Sequence, residues 1–130
     1  MEKEWIARLA KKSCAVSLVR DLLGCGCPEE VFEHYHIQPY TSGSIPMVQL
    51  IMGDRLLVRI VDAAKSGAAE ETVMRLLEEG LKERERRKLN RFRLVMVGAF
   101  SPSKTRGLED LTEAMDPKVH LHVLPRLELD

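Results

Sequence analysis

The sequence predicts an α/β fold: a mixed, mostly parallel four-stranded sheet, built from a hairpin and two βα crossovers, flanked by helices and preceded by an N-terminal helical segment. Three observations predict it. Two strand-like runs, Met47–Met52 and Arg55–Val61, flank the turn pair Gly53-Asp54, the pattern of a β-hairpin, with Gly-X suited to a type II′ turn. Two helix-then-strand units follow, and strands joined through helices pair in parallel with right-handed crossovers. The run Leu94 to Ala99 is almost continuously apolar, as expected of a strand in the middle of a sheet covered on both faces.

The N-terminal segment reads as helical. Trp5, Ile6, Leu9 and Ala10 recur at helical spacing between Glu2 and Lys12, so a short amphipathic helix is predicted there. Ser13 suits an N-cap for a second helix from Cys14 to Leu23, with Val16, Val19, Leu22 and Leu23 as its buried stripe. Gly24 suits the left-handed residue that ends a helix. Pro28 and the acidic pair Glu29-Glu30 suit the first turn of a third, short helix running towards Tyr35. Pro39 and the run Tyr40 to Pro46 then read as a loop.

The crossover helices are predicted from Ala68 to about Lys88, with Val73, Met74, Leu76, Leu77 and Leu81 facing the core, and from Lys104 to Met115, stopped by Asp116-Pro117. The third strand is placed at Arg93–Phe100. The last is placed at Val119–Leu124, where Val119, Leu121 and Val123 alternate with His120 and His122. One domain spans 1–130: a helical segment over 1–38, a loop over 39–46, and the sheet with its helices over 47–124.

Composition limits the function classes. Of 130 residues, 45% are apolar and 31% charged, which argues for a folded chain able to bury a core without staples. Lys plus Arg equals Asp plus Glu at 20 each, so no global charge argues for nucleic acid or an acidic membrane surface. Three cysteines, a charged N-terminus and no apolar run of spanning length lead to the expectation of a cytoplasmic protein without a membrane segment.

Chemistry is expected first at Cys25-Gly26-Cys27. Two thiols one residue apart suit a soft metal, zinc or an iron–sulfur centre, or a dithiol couple; two small residues also suit a tight junction between helices. Cys14 is a poor third ligand, since a helix would hold it about 16 Å from Cys25. His34 and His36 follow closely, but the third helix would carry His34 about 10 Å from Cys27. His120 and His122 share a strand face, so Cys25, Cys27, His120 and His122 form a candidate metal set if the cysteine stretch lies beside the last strand. The alternative for the histidines is the more polar face of a half-buried strand.

A second candidate lies in the loops after the parallel strands, where Lys65, Ser66, Ser103 and Lys104 precede or open helices and suit phosphate or carboxylate; the same residues also suit capping. Neither loop carries GxxxxGK[ST] or GxGxxG. The run from Lys82 to Arg93 holds seven basic residues against two acidic, a pattern that suits nucleic acid or an acidic partner but fits a solvated helix end better. Catalytic patterns such as G-x-S-x-G and HExxH are lacking. The functional expectation is a metal-binding or thiol-redox accessory protein. The alternatives are an anionic small-molecule binding module and a protein-interaction domain, including a homodimer through an exposed edge strand.

Overall fold

The computed structural model describes residues 2–24, 32–63, 70–98 and 100–127. It is an α/β fold with a mixed sheet, but the sheet has five strands rather than four. The elements are α1 (Glu2–Leu9), α2 (Lys12–Val16) running on into a π-helical segment (Ser17–Leu22), β1 (Tyr35–Ser42), β2 (Ile45–Met52), β3 (Leu56–Asp62), α3 (Glu70–Arg87), β4 (Arg91–Val97), α4 (Pro102–Met115) and β5 (Val119–Leu124).

The extra strand, β1, replaces the loop predicted over 39–46. Gly43-Ser44 is a two-residue hairpin turn between paired Ser42 and Ile45, and Gly43 takes the positive φ such a turn requires. Pro39 misled because it lacks an N–H for a ladder, yet β1 is an edge strand, where one side of the backbone needs no partner. Of the third helix predicted from Pro28 to Tyr35, residues 28–31 lie outside the described residues, and residues 32–35 are not α-helical: Tyr35 begins β1. At the second hairpin both Gly53 and Asp54 have positive φ, and Arg55 N–H donates to the Met52 carbonyl. That matches a type I′ turn, not the expected II′. Ser13 is not a cap: α2 starts at Lys12, two residues before the predicted start at Cys14, with Lys11 as its N-cap and no side-chain cap. Gly24 follows the helical segment with φ +66°, as the C′ position predicts.

The strand order is β1-β2-β3-β4-β5. The first three strands form an antiparallel meander, and β3, β4 and β5 are parallel. Because β3, β4 and β5 advance in one direction, two crossovers of the same hand put both helices on one face. That face buries Leu57, Val61, Phe92, Leu94, Met96 and Leu121 beneath Val73, Leu76 and Leu77 of α3 and Leu108 of α4. The opposite face carries Val48, Leu50, Met52, Leu56, Val58, Ile60 and Val95, covered by Trp5, Leu9, Leu18, Val19 and Phe32. Tyr35 Oη donates to the carbonyls of Leu9 and Ala10 at 2.9 and 3.1 Å, tying the open end of α1 to the sheet. Among the described residues no helix is long and apolar enough to cross a membrane.

Candidate functional site: an arginine–histidine face on β4 and β5

The helical segment covers its face of the sheet mainly over β2 and β3. Towards β5 that face turns polar. Alternation along β4 and β5 sends Arg91, Arg93, His120 and His122 to the same side, with Arg93 opposite His120 in the register and Val95 opposite His122.

Arg93 is only 7% exposed. One terminal nitrogen donates to the Leu23 carbonyl at 3.0 Å and lies 2.8 Å from His122 Nε2. A guanidinium only donates, so Nε2 accepts, the ring proton sits on Nδ1 and His122 is neutral. Burial first, then Arg93 and His120, pushes the His122 pKa down to about 4. The exposed Arg91 points a terminal nitrogen at His120 Nε2 at 3.4 Å. Burial, then Arg93 and Arg91, lowers the His120 pKa against the opposing pull of Glu113. The Nε of Arg93 is buried without a hydrogen-bond partner. At neutral pH the cluster holds two permanent cations and two neutral rings.

His120 and His122 thus share a face, as predicted, but each directs Nε2 at a cation. That donor set favours negative charge over a metal ion, because a dication would stand beside two guanidiniums and compete for the Nε2 lone pairs. Among the described residues no group of three or more His, Cys, Asp or Glu is placed to hold a metal. Cys25 and Cys27 lie outside the described residues. His36 lies on the opposite face, where it lines a cavity with Gln38 and Gln49. Exposed His34 uses its carbonyl to accept from Gly53 N–H at 2.8 Å.

The loop candidates divide. Lys65 and Ser66 lie outside the described residues. Ser103 and Lys104 are exposed in the first turn of α4, where Ser101 Oγ accepts from the Lys104 backbone N–H at 3.2 Å as an N-cap. A hollow of about 550 Å³ opens beside that turn, lined by Gly98, Phe100, Thr105, Arg106, Val123 and Pro125 among others, but not by Ser103 or Lys104. Since β3, β4 and β5 follow one another in order, there is no strand reversal here to create the crevice that binds ligands in doubly wound sheets.

Arg91 and Arg93 entered the sequence-based candidates only as the end of the basic run from Lys82, not as partners of the histidines. A signal existed: arginines two apart in an otherwise apolar strand share a face, and β5 carries histidines with the same spacing. No protein-family model matches the chain, and no curated protein is detectably similar to it.

Proposed function

We propose that the chain is a binding module for a small anion, a carboxylate or a phosphate, held on the β4–β5 face by Arg91 and Arg93. One observation carries the reading. Arg93 is a buried cation with no carboxylate of the described residues within salt-bridge distance, and its Nε–H has no acceptor. A buried charge without an opposite partner is unfavourable, and an anion would relieve it. Arg91 adds a second guanidinium, suited to paired donation to carboxylate or phosphate oxygens. His120 and His122 stay neutral at pH 7, so neither adds a charge that would need its own counter-ion.

Calorimetric titration with inorganic phosphate and with citrate, alongside thermal unfolding, tests the proposal. Wild-type protein should bind and melt higher with ligand. Arg91→Ala, an exposed change, should keep the unliganded melting point and lose most of the binding. If wild-type protein binds neither anion, or if Arg91→Ala binds equally well, the reading is wrong.

A second reading is dithiol–disulfide exchange at Cys25 and Cys27, and it rests on two thiols one residue apart. Alkylation rates of each cysteine against pH, followed by peptide mass, test it. Cysteines that both titrate at the ordinary thiol value would reject it.

A further inference from the structure

The other buried arginine lies on the opposite face. Arg59, on β3, is 2% exposed and heads the fully buried side chains by volume. Its Nε donates to Gln49 Oε1 at 2.9 Å, and its guanidinium carbon lies 4.2 Å from the centre of the Tyr40 ring. No carboxylate of the described residues is within salt-bridge distance. The acids whose field reaches it, Glu83 and Glu79, have nearer partners. Glu79 accepts from Ser42 Oγ, and Glu83 from Arg86 and Arg87.

The Arg59–Gln49 bond fixes an orientation. Arginine cannot accept, so the Gln49 oxygen faces Arg59 and its NH2 faces elsewhere. Gln49, 1% exposed, lines a cavity of about 100 Å³ together with His36, Gln38, Ile51 and Arg87. Gln38 lies directly opposite Gln49 in the β1–β2 register. Arg87 uses Nε for Glu83, which leaves its terminal nitrogens as donors. The walls are one apolar side chain, two amides, an imidazole and a guanidinium, with no acid among them.

We infer that this cavity takes an oxyanion group, the carboxylate or phosphoryl end of a small ligand, with Gln49 and Arg87 donating to it. Arg59 is a positioning residue: it turns the Gln49 amide and adds a fixed positive charge behind it. The site is independent of Arg91 and Arg93, which act on the other face.

Side-chain amide signals of Gln38 and Gln49 followed by NMR during titration with sodium phosphate or sodium acetate, against sodium chloride at matched ionic strength, test the inference. Saturable shifts with phosphate, acetate or both support it and identify which oxyanion fits. Arg87→Ala, at an exposed position, should raise Kd about tenfold, the scale of one charge-assisted pair, while Arg91→Ala should leave these shifts unchanged. No shift beyond that of chloride, or equal binding by Arg87→Ala, overturns it. Arg59→Gln, where it folds, should change the Gln49 amide signals before any ligand is added and lose binding. If it does not fold, Arg87→Ala decides alone.

Discussion

The neutral state of His122 makes a pH-dependent stability term that can be worked out from the structure. Its folded pKa is about 4 against an ordinary 6.5, with burial as the largest cause and Arg93 next. The unfolded chain therefore binds a proton here more readily than the folded one. The sign follows: stability is complete above the unfolded value, falls as pH drops below 6.5, and stops falling near 4. Each unit of difference is worth ~1.4 kcal/mol, so a fully shielded ring would give roughly 3.5 kcal/mol. The ring is partly exposed, and solvent screening reduces this to about 1–2 kcal/mol. Urea unfolding of wild type and His122→Gln at about pH 7 and about pH 4.5 measures the term. Glutamine keeps an acceptor for Arg93 but does not titrate. Wild type should lose about 1–2 kcal/mol more than the variant between the two conditions. Equal losses, or a His122 ring that titrates near its ordinary value by NMR, would refute the placement of the imidazole beside a buried guanidinium.

Gly80→Ala should destabilise the chain although alanine favours a helix, because a Cβ at this buried turn of α3 would run into the Phe92 ring. Overpacking of ~1–3 kcal/mol opposes a propensity gain of about 1, and Phe92→Leu in the same chain should recover part of the melting point. Tyr35→Phe removes the donor to Leu9 and Ala10 and should cost about 0.5–1.5 kcal/mol by urea unfolding, with faster amide exchange confined to α1. Glu83, pushed down to about 2 by hydrogen bonds from Arg86 first and Arg87 next, contributes above its unfolded pKa and loses that contribution as pH falls towards 2. Because Arg86 is exposed, Glu83→Gln should cost no more than ~1 kcal/mol at neutral pH, and high salt should shrink the difference.

The parts of the fold legible in the sequence were those where one local signal dominated. The apolar run of β4, the helical periodicity of α3 and the alternation of β5 each pointed to the element found there, and the parallel pairing of β3, β4 and β5 followed from their helical connections. The β1 strand was hidden because Pro39, Gly43 and Ser44 are loop signals taken singly. Only pairing with β2 along the whole register explains them as an edge strand and a turn. The π-helical segment has no local signature either; its Leu23 N–H to Leu18 carbonyl bond coincides with burial of Leu18, Val19 and Leu23 against the sheet.

The site was half legible for a related reason. Spacing alone put His120 and His122 on one face, but it could not say what stood beside them, and the neighbour decides the chemistry. A carboxylate from β4 would have raised the pair's basicity; instead burial first, and the arginines of β4 next, keep both rings neutral, so the permanent charge beside them is positive. The topology brings this about. Both crossover helices lie on one face of β3, β4 and β5, so the other face depends on the N-terminal helical segment, whose buried side chains reach Val95 of β4. Where that cover thins towards β5, an apolar face would lie open. Arg93 fills the boundary instead, joining the last turn of the segment through Leu23 to the last strand through His122. The same bond that closes the fold therefore sets the charge of the site. An anion there should protect the Leu23 end of the segment from amide exchange as well as the β4–β5 face, whereas a ligand confined to the β1–β2 cavity should leave that end unchanged.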